Sequence, residues 1–194
     1  EHEIRILLDV VANHTGPVTP QDPVWPDSWV RTDPSCTYQD YESTVECTLV
    51  ENLPDIHTEK ETEVDLPVQL LEKWEAEGRL EEEMEELDAF FERTGYPRAP
   101  KYYMIKWLTD YVRELGVDGF RVDTTKHTDA EIWEELKKEA LAALLEWKEA
   151  NPGIKLDDNP FWMVGEVYNY SAGSGQPFDY GDTTVNFFDY GFES

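Results

Sequence analysis

Three short apolar runs, joined through helical patterns, constrain the possible folds of this chain more than any other feature. They are Glu3–Val11 (EIRILLDVV), Val117–Asp123 (VDGFRVD) and Phe161–Val167 (FWMVGEV). Near-continuous runs of this length, rich in Val, Ile and Phe, read as strands buried in a parallel sheet. The first, bounded by His14-Thr-Gly-Pro, is expected to be buried on both faces. Parallel strands cannot be joined by tight turns; they need long, usually helical, crossovers. The intervening segments supply them. Lys101–Leu115 places Ile105, Leu108, Val112 and Leu115 on one helical face, with Gly116 as a natural C-cap. Thr128-Asp-Ala-Glu131 has the form of a capping box opening a second helix that runs to Ala150, before Asn151-Pro-Gly. A Gly-rich loop, Ser171–Gly181, leads to a fourth strand at Thr184–Phe188. Alternating strands and helices imply an α/β fold.

The region between the first two strands does not follow this alternation. Residues 15 to 66 are dominated by Pro, Asp, Thr and aromatic residues without a sustained period, as an inserted subdomain would be, with a short strand near Ser43–Val50. Leu66–Arg93 turns helical, and Gly78 divides it in two before Gly95, Pro97 and Pro100 end it. The expected organisation is a barrel strand at residues 1–14, an inserted domain with a helical segment at 15–98, and barrel helices and strands at 99–194. The only two cysteines, Cys36 and Cys47, flank a short loop. They read as a disulfide of an exported protein, with a pair of free thiols as the alternative.

The formal net charge is −27, which excludes a nucleic-acid partner, since no basic patch offsets the repulsion of a polyanion. A neutral polysaccharide would not be repelled. The acid fits a salt-adapted surface or simply solvated helix faces, because much of it lies in Glu59–Glu92. No apolar stretch is long enough to span a membrane, and no membrane partner is expected.

The strand ends carry the chemistry. In Phe120-Arg-Val-Asp123, alternation sends Phe120 and Val122 one way and Arg121 and Asp123 the other. A guanidinium beside Asp123 would keep that carboxylate ionised, as a nucleophile requires. Asp9 and Glu166 stand near the ends of the other two runs. Two carboxylates on neighbouring strands can flank a glycosidic bond, one as nucleophile and one as acid and then base. Buried Arg–Asp pairs are also often structural, so spacing alone leaves both readings open.

Four motifs, in order, carry a specific resemblance. Asp9-Val-Val-Ala-Asn-His14, Leu53-Pro-Asp-Ile56, Gly119-Phe-Arg-Val-Asp-Thr-Thr-Lys-His127 and Gly165-Glu-Val167 resemble signatures of the α-amylase family, glycoside hydrolase family 13. The resemblance spans nearly the whole chain and is greatest to periplasmic and secreted members. It implies an internal part of a (β/α)8 TIM barrel, roughly the third to the sixth strand, with the inserted domain after the first strand of this chain. It implies Asp123 as nucleophile, Glu166 as acid/base and Arg121 as the arginine orienting the nucleophile. His14, Lys126, His127 and Asp9 match substrate-site residues. Asn13 and Asp55, with the His127 carbonyl, match ligands of a structural calcium ion, whose preference is for such oxygen donors.

The expected function is endo-hydrolysis of α-1,4-glucans such as starch, glycogen or maltodextrin with retention, in a protein that is monomeric when complete and periplasmic or extracellular. The family's third catalytic aspartate is not found before Ser194, so the 194-residue chain alone is expected to have little or no activity. The alternatives are a transglycosylase of the same family and a non-catalytic barrel homologue serving as an interaction subunit. The group Trp25, Trp29, Tyr38 and Tyr41 could stack on sugars, although a small core of the inserted domain is the preferred reading. His57 is placed at the surface or on a cleft wall.

Overall fold

The computed structural model describes residues 4–167 and 186–189. They fall into two compact units, residues 14–106 and residues 1–13 with 107–194. The second of these contains a four-stranded parallel sheet in the order β1 (Leu7–Val10), β4 (Gly119–Val122), β5 (Trp162–Val167), β6 (Asn186–Asp189). The strands lie side by side in chain order, with no reversal. β4 is central: Arg121 pairs with Asp9 on one side and Val164 on the other.

The alternation expected in β4 is what the chain adopts. Phe120 and Val122 are fully buried, and Phe120 meets Phe161 edge-on at 4.9 Å. Arg121 and Asp123 remain partly exposed on the opposite face. Gly119 stands where no side chain fits, since a Cβ would lie 2.2 Å from the Trp162 carbonyl oxygen and 2.6 Å from Leu7. β1 differs from expectation. With β4 as its only neighbour among the described residues, it leaves Ile4, Ile6 and Leu7 exposed at 72%, 58% and 41%, so the apolar run is not buried on both faces.

Helix α4 (Pro100–Leu115) ends at Gly116, in the left-handed conformation. Leu115, expected on the buried face, is 62% exposed, because it lies in the last turn beside that cap. The ring of Trp147 packs so closely on Gly116 that a Cβ there would be 2.2 Å from it. Trp147 belongs to α5 (Ala130–Ala150), which buries Ile132, Trp133, Leu136, Ala140, Ala143 and Leu144 at helical spacing. The α5 cap is Asp129, whose side chain accepts from Glu131 N at 2.9 Å, and not the Thr128 capping box. The Asp129 carboxylate, one residue later, accepts from a free amide of the first turn in its place. Beyond α5, Asp157 pairs with Arg5 and Lys148 and accepts from Asn159 N.

In the unit of residues 14–106, β2 (Val30–Arg31) and β3 (Asp55–Ile56) form a short antiparallel pair. Cys36 and Cys47 are disulfide-bonded around a turn that includes α1 (Glu42–Val45). The strand expected near Ser43–Val50 is therefore a helical turn with isolated bridges, because Asp40 and Ser43 cap each other there. The Leu66–Arg93 pattern forms α2 (Val68–Ala76) and α3 (Leu80–Thr94), separated at Gly78 with φ 72°. Trp29 is the centre of this unit. It meets Trp25 and Tyr103 at 5.1 Å each, and its indole donates to the Asp65 carbonyl. Trp25 and Trp29 thus join a core, whereas Tyr38 and Tyr41 are exposed. No described helix is long and apolar enough to cross a membrane.

Because Phe120 fills the centre of the sheet's buried face without exposure, Phe120→Ala should destabilise its unit by about 3–5 kcal/mol. Chemical denaturation monitored by circular dichroism would measure the loss, and a change below ~1 kcal/mol would contradict this packing.

Candidate active site

At the carboxyl ends of β1, β4 and β5, three acids converge on one base. Arg121 Nη1 donates to Asp9 Oδ1 at 3.0 Å and to Asp123 Oδ1 at 2.9 Å. Its Nη2 lies 2.9 Å from Glu166 Oε2. The register explains the convergence: Asp9 is opposite Arg121 across the β1–β4 ladder, and Asp123 N donates to the Val10 carbonyl as β4 ends. Glu166 lies one residue beyond Gly165, the partner of Val122. An alternating side-chain pattern then points all four groups to one face.

These groups are partly dry. Arg121, Asp123 and Glu166 expose 22%, 24% and 20% of their side chains, and Asp9 exposes 66%. Burial and a hydrogen bond to Asp123 push the Glu166 carboxyl above its ordinary range, against the pull of Arg121. Arg121 is held more firmly protonated than usual: its burial opposes this, but Asp123 and Asp9 outweigh it. The environment therefore differs between the two acids. Glu166 is thus more easily protonated than an ordinary glutamate, while Asp123 keeps a direct guanidinium contact.

The connection after β4 is a short 3-10 turn, η1 (Thr125–His127). Thr125 Oγ1 donates to the Val122 carbonyl, and the Trp133 indole donates to the Thr125 carbonyl. Lys126 and His127 lie on this turn; His127 is buried, and its amide donates to the Thr124 carbonyl. Asn13, after β1, is also buried. His14 and Asp55 belong to the other unit, where they form an antiparallel bridge, and Asp55 Oδ1 accepts from Leu49 N. No cluster of three or more His, Cys, Asp or Glu suited to a metal occurs among the described residues. That observation does not bear on a site built from amide and carbonyl oxygens.

Two features were not read from the sequence. His57 is buried, with its Nδ1 2.6 Å from Arg31 Nη2 and its Nε2 3.0 Å from the Asp27 carbonyl, and Arg31 also pairs with Glu59. Only the burial of the short β2–β3 pair reveals this, which motif spacing does not encode. The second is Thr124, whose φ of 47° is left-handed, although it is a β-branched residue.

No protein-family model matches the chain. It is 39% identical over 170 residues to the periplasmic α-amylase of Escherichia coli, which covers 86% of this chain and 22% of that protein. A 75-residue stretch is 36% identical to an α-amylase of Streptomyces lividans, covering 39% of this chain and 7% of that one. The chain thus spans about a fifth of the length of the E. coli relative. Among solved structures, an α-amylase of Geobacillus thermoleovorans complexed with acarbose aligns with a TM-score of 0.56 at 23% identity, covering 96% of this chain and 31% of that one. An Anoxybacillus α-amylase aligns with a TM-score of 0.55 at 21% identity, covering 96% and 30%. These two likenesses concern the fold.

A charged Glu166 is disfavoured in the folded state, so its contribution to stability is complete below its ordinary value of 4.5 and is lost as pH rises through the raised value. Glu166→Gln should consequently raise Tm at neutral pH, with the gain vanishing as pH falls toward 4.5. Scanning calorimetry across pH checks it, and a gain that grows on acidification would contradict the assignment.

Proposed function

Starting from a chain related to the α-amylases over most of its length, we propose that it forms part of the catalytic barrel of a retaining glycoside hydrolase acting on internal α-1,4 bonds of α-glucans. The observation that carries the proposal is the shared guanidinium, with Asp123 and Glu166 on its two terminal nitrogens. That sharing fits the close pair of a retaining enzyme, roughly 5–5.5 Å apart, better than the wider pair of an inverting one. Sequential parallel strands fit a barrel segment, and β1 presents the apolar edge that a further barrel strand would cover. Residues 15–98 are then the inserted domain, with 1–14 and 99–194 contributing the barrel.

The proposed chemistry balances in two steps. An Asp123 carboxylate oxygen attacks the anomeric carbon, the glycosidic C–O bond breaks, and Glu166 gives its proton to the departing oxygen. The resulting Glu166 carboxylate then takes a proton from water, whose oxygen attacks the same carbon and releases Asp123. Arg121 keeps Asp123 ionised and fixes it in place. Asp9, tied to the same guanidinium, supports the site, and His14, Lys126 and His127 contact the sugar. Hydrolysis is preferred to transglycosylation because the named relatives are amylases. The cluster of ionisable groups disfavours a purely non-catalytic subunit. The disulfide supports an oxidising compartment, as does the periplasmic location in the name of the E. coli relative.

A structural calcium ion is part of the proposal on the strength of the resemblance. Asn13 and Asp55 are buried side chains with oxygen donors, and the His127 backbone carbonyl is the third candidate. Such oxygens suit calcium, which would supply stability and no chemistry. Chelation should lower Tm, with recovery on adding calcium but not magnesium; an unchanged Tm would remove the ion from the proposal.

In a protein carrying the whole barrel, Asp123→Asn and Glu166→Gln should each reduce release of reducing sugar from soluble starch by at least about 10³-fold. Near-normal turnover by either variant would refute the proposal. The 194-residue chain on its own is expected to show little or no turnover in the same assay.

A further inference from the structure

The residue after the proposed nucleophile is energetically misplaced. Thr124 has φ 47° and ψ 39°, a left-handed conformation that a β-branched side chain resists. Its hydroxyl Oγ1 is buried without a hydrogen-bond partner among the described residues. Both features cost stability, and glycine would avoid both. Strain of this kind persists only where the surroundings impose it, and it concentrates at functional sites. Here the surroundings are the anchors of the β4–η1 turn: Asp123 N to the Val10 carbonyl on one side, and His127 N to the Thr124 carbonyl with Thr125 Oγ1 to the Val122 carbonyl on the other.

The left-handed turn aims one group at the site. The Thr124 amide donates toward Glu166 Oε2 at 3.5 Å. That oxygen is also the one 2.9 Å from Arg121 Nη2. Two donors therefore converge on Oε2. A proton on that oxygen would face two N–H groups, whereas a proton on Oε1 would not. Resting on the reading of Glu166 as acid/base, we propose that Thr124 is a positioning residue: its amide, with Arg121, reserves Oε2 as an acceptor and leaves Oε1 to carry the proton to and from the substrate. The same geometry operates in both steps. Oε2 remains the acceptor when Glu166 is protonated, and it holds the negative charge when Glu166 must next take a proton from water. The 3.5 Å separation is long for such a bond, as catalytic contacts often are before substrate tightens them.

Among the described residues, the charged groups that act on Glu166 are Arg121 and Asp123. Neither is altered by changing a backbone N–H, which makes the amide separable from them. The test replaces the Asp123–Thr124 amide by an ester, by incorporating the α-hydroxy acid of threonine at position 124 in the protein carrying the whole barrel. The side chain is kept and only the N–H is lost. The expected result is a fall in kcat of roughly tenfold with KM little changed, as for loss of a donor to a charged group. The alkaline limb of the kcat profile should move up by about half a pH unit, because a donor that favoured the carboxylate is gone.

Thr124→Pro, which forbids the left-handed turn and also removes the N–H, should lose at least as much. Thr124→Gly, which adopts the turn without strain, should keep the alkaline limb where it is and raise Tm. An ester variant with an unmoved limb and unchanged kcat would overturn the inference, as would a Thr124→Gly limb displaced as far as that of the ester. If Asp123→Asn and Glu166→Gln are inactive while the ester behaves as wild type, Thr124 has no positioning role and the acid/base reading stands. If those two variants remain active, the acid/base reading itself fails.

Discussion

One cation organises the chemistry of this chain. In a polypeptide of net charge −27, Asp9, Asp123 and Glu166 from three strands face the same small volume, and mutual repulsion would drive them apart or protonate them. The guanidinium of Arg121 makes their convergence tolerable. Its planar fork reaches all three with separate N–H vectors, which the point charge of a lysine could not do. It does not neutralise them equally. Asp123 and Asp9 share one nitrogen at 2.9 and 3.0 Å, while Glu166 takes the other and still titrates above the ordinary range because of burial and Asp123. The unequal surroundings of Asp123 and Glu166 are thus a result of how one side chain is shared.

That sharing depends on the sheet. A parallel ladder fixes Arg121 opposite Asp9, and the β4–β5 register places Glu166 just past Gly165. A slip of one residue in either ladder would send a carboxylate to the opposite face. The register in turn rests on close packing at Gly119, where the Trp162 backbone leaves no room for a side chain, and on Phe120 and Val122, which fill the other face.

Much of this was legible because it follows from period and polarity. The four strands, the break at Gly78 and the pairing of Arg121 with Asp123 can be read from alternation and punctuation in the sequence. Local alternatives of nearly equal energy were harder to read. Asp129 caps α5 in place of Thr128, and Asp40 with Ser43 turns a β-like segment into a helical turn. The exposure of β1 depends on its neighbours in the sheet rather than on its composition. The left-handed Thr124 runs against the preference of its own side chain, so no propensity could reveal it. The contact of Arg121 with Glu166 joins positions 45 apart in sequence, and only the assembled sheet brings them together. The Gly-rich loop Ser171–Gly181 lies outside the described residues.

The contact between Gly116 and the Trp147 ring has a consequence for how the sequence can drift. The two positions lie on different helical segments, yet a Cβ at 116 would fall 2.2 Å from the indole. Neither residue can therefore change alone without cost: a larger residue at 116 meets the ring and an unfavourable backbone angle, and a smaller one at 147 opens a void. Loss of the tryptophan would clear the ring from position 116 but not the left-handed backbone, so glycine remains the residue that suits it with or without its neighbour.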